Sequence, residues 1–164
     1  MEELYKAGKI RAIGISNFRP ERVVDFVLHQ EIVPALIQVE FHPRSLQIEM
    51  RKVLAEYDIA LEAFSPLDHG LHNLTSDPVL VEIGEKYGKT AAQVVLRWDV
   101  QNGVITIPKS THKERIEENY DIFDFELTEE DMARITAIGD REQTPIDITS
   151  VDFIKFISTK KIHD

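Results

Sequence analysis

Cysteine is absent from all 164 residues, which excludes disulfides, thiolate metal sites and a Cys nucleophile. That absence fits a reducing, cytoplasmic compartment. No run approaches the ~18 apolar residues that a membrane-spanning helix needs. The opening residues, Met1-Glu2-Glu3-Leu4-Tyr5-Lys6, lack the basic segment and apolar run of a secretory signal. A surplus of positive charge is missing too. Nineteen Lys and Arg against 29 Asp and Glu give a formal net charge of −10, which argues against a general nucleic-acid binder. An acidic chain can still hold an anion, but only through a local basic cluster. Length is the last shortage: a complete eight-unit β/α barrel takes about 250 residues.

What is present is 43% hydrophobic residues, enough to fill one core. Four short runs rich in Ile, Val and Phe have the character of buried strands: residues 9–15, 33–41, 59–64 and 104–107. Helical patterns lie between and after them. One starts at Arg19-Pro20-Glu21, with Pro just inside the helix start and Val23, Val24, Phe26 and Val27 on its apolar face. Another spans residues 46–57, with Leu46, Met50, Val53 and Leu54 at helical spacing. A long loop over residues 65–77 precedes two helices, residues 78–87 and a second that Thr90 caps. Residues 113–120 and a helix capped by Thr128 complete the set. Residues 1–7 read as the last turns of a helix ended by Gly8, with Leu4 and Ala7 as its stripe. The order β-α-β-α-β-loop-α-α-β-α-α implies parallel strands with right-handed crossovers. It predicts an α/β fold with four barrel units in one domain over residues 1–164.

In such a fold the chemistry sits at the C-terminal strand ends. The first ends in Ser16-Asn17-Phe18, offering short polar groups. On the second, Gln38 and Glu40 share one face by alternation. A buried Gln must be hydrogen-bonded, so it either ties the barrel together or meets a ligand amide. His42-Pro43 reads as a structural turn in preference to a catalytic group. The third strand ends in Phe64-Ser65-Pro66-Leu67, where Phe64 serves either as core or as a stacking face for a flat ring. His69 and His72 have a spacing that suits a metal, but no third ligand stands out, and no metal is expected. The fourth strand ends in Ile107-Pro108-Lys109-Ser110-Thr111, followed by Lys113, Arg115, Glu118 and Asn119. This is the basic cluster an anion would need, and it sits where a strand meets a helix N-terminus. A charge run is more often a solvated face; the position favours phosphate.

These motifs, in this order, resemble the aldo-keto reductases over essentially the whole chain, and most closely their small bacterial members. The matching stretches are residues 8–18 (GKIRAIGISNF), Gln38-Val39-Glu40 with His42-Pro43, Ser65-Pro66-Leu67, Ala92-Gln93-Val94 with Leu96-Arg97-Trp98, Ile107-Pro108-Lys109-Ser110, and Glu118-Asn119 before Phe123-Asp124-Phe125. The resemblance implies the last four units of a TIM-type (β/α)8 barrel that binds NADP(H). It assigns Ser16, Asn17 and Gln38 to the nicotinamide carboxamide and Phe64 to the nicotinamide ring. Ser65 and Leu67 would meet the pyrophosphate. Lys109, Ser110, Thr111 and Arg115 would hold the 2′-phosphate, with Glu118 and Asn119 on the adenine. Two positions depart from the family pattern: Phe64 replaces Tyr, and Ile37 replaces Asn before the matching Gln.

The resemblance also implies what these residues do not supply. The family's proton donor is a Tyr assisted by Lys, Asp and His, all from the first four units. Hydride transfer leaves charge on a carbonyl oxygen that a nearby acid must neutralise. Tyr5, Tyr57, Tyr87 and Tyr120 all fall in or at the ends of helices, so no catalytic residue is assigned. The expectation is a truncated, inactive half of an enzyme that reduces small aldehydes or ketones, with Phe153, Ile154, Phe156 and Ile157 lining its substrate pocket. The alternative is a non-catalytic nucleotide-binding or assembly module, completed by a second copy or a partner chain at its open strand edges.

Overall fold

A computed structural model describes residues 1–70 and 73–139, with residues 151, 155, 158 and 159. Four strands form one parallel sheet in the order β1-β2-β3-β4: β1 (Gly14–Ser16), β2 (Leu36–Glu40), β3 (Ala60–Phe64) and β4 (Ile105–Thr106). Among the described residues, β1 and β4 each have a neighbour on one side only. The helices are α1 (Glu2–Lys6), α2 (Pro20–His29), α3 (Ile48–Tyr57), α4 (Pro78–Tyr87), α5 (Ala91–Gln101), α6 (Lys113–Tyr120) and α7 (Glu129–Thr136). The expected order of elements is present.

The strands alternate as the pleat requires. On β2 and β3, Ile37, Val39, Leu61 and Ala63 are buried in the core, while Gln38, Glu40, Glu62 and Phe64 face the other way and are half-buried. Against the buried face pack Val23 of α2, Met50 and Leu54 of α3, Leu80 and Ile83 of α4, and Val94, Val95 and Trp98 of α5. Phe41 and Trp98 stack with ring centroids 5.2 Å apart. Burying such rings contributes a few kcal/mol each by area, about 25 cal/mol per Å².

Helix ends follow the local chemistry. Pro20 sits in the first turn of α2. The Asp77 side chain accepts from Val79 N at the start of α4 (2.9 Å), and Gly88 at φ +64° ends that helix. Thr90 and Gln93 form a reciprocal capping box on α5. Gly84 lies inside α4 because an added Cβ would come 2.5 Å from the Lys89 carbonyl oxygen.

Four expectations need correction. The first strand is only Gly14–Ser16, because its partner ladder begins at Leu36, beyond Pro34, which has no N–H to donate. The fourth strand shrinks to two residues, since β3 offers it a register only at Glu62 and Ala63. Helix α3 starts at Ile48 rather than Leu46, because Gln47 adopts a left-handed φ of 49°. Leu4 and Ala7 of the N-terminal helix form no buried stripe: α1 buries nothing, and Leu4 is 41% exposed. The loop after β3 contains two short 3-10 turns, Asp68–Gly70 and Leu74–Ser76.

Candidate functional site

Parallel register places Ser16, Gln38, Glu62 and Ile105 side by side across the four strands, on the face away from the core. The Ser16 hydroxyl donates to the Gln38 carbonyl oxygen (3.1 Å), and so does the Asn17 N–H (3.0 Å). Asn17 reaches this position with a left-handed φ of 58°, which Asn tolerates better than most residues. The Gln38 side chain donates from Nε2 to Glu62 Oε1 at 2.7 Å. One step towards the strand ends, Glu40 sits opposite Phe64.

Beyond Phe64 opens a cleft of about 710 Å³. Its lining draws on three places: Ser65, Leu67 and His69 after β3, Thr90 to Ala92 at the start of α5, and Lys109, Ser110, Arg115, Glu118 and Asn119 after β4. Thus seven residues expected to bind a cofactor converge here: Ser65, Leu67, Lys109, Ser110, Arg115, Glu118 and Asn119. Ser16, Asn17, Gln38 and Phe64 do not line this cleft. They belong to the strand row beside it, joined to it through the Phe64-Ser65 peptide.

Lys109 and Arg115 have no ion-pair or hydrogen-bond partner among the described residues. Lys113, which the charge pattern grouped with them, is spent on Glu117 one helical turn away (3.5 Å) and lies outside the lining. Thr111 is exposed and also outside it. Helix α6 has no side-chain N-cap bond, so its first N–H groups remain open to an anion. Glu118 accepts from the Thr90 hydroxyl (2.6 Å), which ties the last turn of α6 to the start of α5 beside the cleft. On the opposite wall, Ser65, Asp68 and His69 all have positive φ, and Ser65 Oγ lies 2.6 Å from His69 Nε2. Three left-handed non-Gly residues within five positions make a strained turn.

Two polar groupings were not anticipated. His42 is buried, with Nε2 3.5 Å from Glu40 Oε1 and 3.8 Å from Asp68 Oδ1, and Arg44 stands 3.7 Å from the other Asp68 oxygen. Three potential ligand atoms therefore cluster. The proton count opposes a metal, however. His42 Nδ1 accepts from the Arg44 N–H (3.2 Å), so the ring proton sits on Nε2 and points at the carboxylates. The cluster fastens the His42-Pro43 turn to the loop after β3. Sequence alternation could flag Glu40 and His42, but nothing in it brings Asp68 to them. Of the His69 and His72 pair, His72 lies outside the described residues. The second grouping is Asp99, fully buried on α5. Its Oδ2 accepts from the Thr106 hydroxyl (2.9 Å), its Oδ1 has no partner among the described residues, and burial pushes its carboxyl pKa well up.

No tyrosine reaches the strand ends: Tyr5 is in α1, and Tyr57, Tyr87 and Tyr120 each end a helix. Tyr87 donates to Asp131 (2.6 Å). Phe153, Ile154, Phe156 and Ile157 lie outside the described residues. Among the described residues, no helix is long and apolar enough to cross a membrane.

A parallel β/α sheet with a cation-lined cleft beyond its strand ends has the layout in which β/α folds commonly hold a ligand. The family model of the aldo/keto reductases matches residues 1–140, and the chain belongs to that family. It is 52% identical over 143 residues to a glyoxal reductase of Bacillus subtilis (strain 168), covering 87% of this chain and 51% of that protein. An uncharacterised oxidoreductase of the same bacterium is 47% identical over 153 residues, with 93% and 54% covered. Among solved structures, an aldo-keto reductase from a Medee basin deep-sea metagenome library matches with a TM-score of 0.86 at 35% identity, over 92% of this chain and 56% of that one. A variant of Gox0644 solved in complex with NADPH matches with a TM-score of 0.83 at 36% identity, over 91% and 55%. The chain spans about half the length of the curated relatives it matches.

Proposed function

We propose that residues 1–164 are the NADP(H)-binding half of an aldo-keto reductase, a partial domain comprising the last four units of a (β/α)8 barrel. The observation that carries this reading is the pairing of Lys109 and Arg115, two cations without a partner among the described residues, with a cleft of nucleotide size. The residues fit the cofactor. Arg115 and Lys109 would take the 2′-phosphate, with Ser110, Thr111 and the open N–H groups of α6 supplying further donors. Glu118 and Asn119 would meet the adenine, and Ser65 and Leu67 the pyrophosphate; all four line the cleft. Ser16, Asn17 and Gln38 would orient the nicotinamide carboxamide, and the Phe64 ring would cover one face of the nicotinamide. When bound, the cofactor supplies the hydride. These residues hold and orient; none of them supplies the proton. The intact protein would reduce an aldehyde or ketone, a reading that a relative named glyoxal reductase supports, and would do so in the cytoplasm.

The test is to replace Lys109 and Arg115 by Ala, singly and together, and titrate with NADPH and NADH. Each single change should weaken NADPH by about tenfold, the worth of one charge-assisted contact of about 1.5 kcal/mol or more, and leave NADH within about twofold. Unchanged NADPH affinity in the double variant would remove the 2′-phosphate assignment.

A second reading rests on the outer strands. β4 borders an apolar groove lined by Val104, Ile105, Ile116, Tyr120, Ile122 and Phe123, and Ile105, Ile116, Tyr120 and Phe123 are exposed. On that reading the chain is a nucleotide-binding or assembly module, completed at this edge by a second copy or a partner chain.

A further inference from the structure

We propose that Glu62 is a positioning residue that fixes which end of the Gln38 amide faces the nicotinamide. The proposal rests on the NADP(H) reading above and names a residue that reading does not use. Glu62 and Gln38 are register partners on adjacent strands, on the face away from the core. Their side chains meet at 2.7 Å, Gln38 Nε2 to Glu62 Oε1. A carboxylate accepts and never donates, so only the NH2 end of the Gln38 amide can turn towards it. The amide oxygen is then the end left for a ligand.

The consequence is directional. A carboxamide ligand presents both an oxygen and an NH2 group. With its NH2 end turned to Glu62 and one N–H bonded there, Gln38 presents its amide oxygen on the other side, where it can accept from the ligand NH2. Ser16 is committed in the same way: its hydroxyl proton goes to the Gln38 carbonyl oxygen (3.1 Å). Its remaining lone pairs also accept. The row therefore reads the amide hydrogens of a carboxamide. Without Glu62, the Gln38 amide would rotate freely between its two faces, half of them wrong for this contact.

Calorimetric titrations of the full chain with NADP+ and with its 3-acetylpyridine analogue, in which a methyl group replaces the carboxamide NH2, test the proposal. The unmodified chain should prefer NADP+ by about fivefold, the worth of one neutral hydrogen bond. Glu62→Ala should weaken NADP+ by about twofold, the share of Gln38 orientations lost, and leave the analogue unchanged, narrowing the discrimination. Glu62→Met keeps the side-chain length and gives the same readout should the Ala variant fail to fold. A Gln38→Ala background should make Glu62→Ala silent. Equal weakening of both ligands, or of neither, would overturn the positioning role. If neither ligand binds the unmodified chain, the NADP(H) reading itself fails, and this inference falls with it.

Discussion

Asp99 is fully buried, with one carboxylate oxygen on the Thr106 hydroxyl and the other without a partner among the described residues. Burial raises its pKa well above the usual Asp value, so the folded chain keeps a proton that the unfolded chain releases above about pH 4. Folding therefore takes up a proton, and stability declines as pH rises from about 4 towards the folded-state pKa. Asp99→Asn keeps the shape without the charge. It should raise the melting temperature at pH 7 by several degrees, with the gain fading towards about pH 4. Thermal unfolding across pH checks this, and a gain independent of pH would contradict it. Asp131 shows the opposite case. Burial opposes its ionisation, yet donors on Lys86, Tyr87 and Thr128 hold its pKa down to about 2. Both aspartates follow from tertiary packing, which explains why the sequence did not reveal them. Lys109 and Arg115 were legible because a strand end beside a helix start is readable from pattern. Lys113 looked equivalent, but an i,i+4 acid neutralises it. Glu62 was invisible for a different reason: its importance depends on strand register, and register is not written in either strand alone.

Helices were the most legible elements, since their ends carry chemical markers. Thr90 marks α5 and has a second duty. Its hydroxyl accepts from Gln93 N (3.2 Å) and donates to Glu118 (2.6 Å) on α6. Thr90→Ala should cost about 1 kcal/mol from the lost cap, seen as a fall of about 2–4 °C in melting temperature. Thr90→Ser should restore most of it, and no loss in the Ala variant would show the cap to be redundant. Strand ends were less legible. Apolar runs extend past the hydrogen-bonded ladder at β1, β2 and β4, so composition overstated their lengths. The loop after β3 read as irregular, while three of its residues, Ser65, Asp68 and His69, are left-handed, and Ser65 and His69 line one wall of the cleft. None of the three is Gly, so no residue-type signal announced them.

At the scale of the molecule, four parallel strands with their helices bring the residues expected on phosphate and adenine, Thr111 excepted, to one cleft and leave those expected on the nicotinamide on a strand row beside it. The parallel α/β architecture was legible from the order of elements alone. How the two groups of residues divide between row and cleft was not, because it depends on where β3 ends. No described residue at the strand ends offers the phenol that the family's chemistry requires, so 164 residues alone should not oxidise NADPH in the presence of glyoxal above blank. An absorbance assay at the NADPH band reads this directly, and steady turnover would show that an unrecognised acid is at work. A cleft built for a 2′-phosphorylated dinucleotide should tell NADPH from NADH, and calorimetric titration of the unmodified chain with each measures the difference. NADPH should bind at least about tenfold more tightly, as expected for charge-assisted contacts to the extra phosphate. Equal affinities for the two cofactors, or binding of neither, would contradict it.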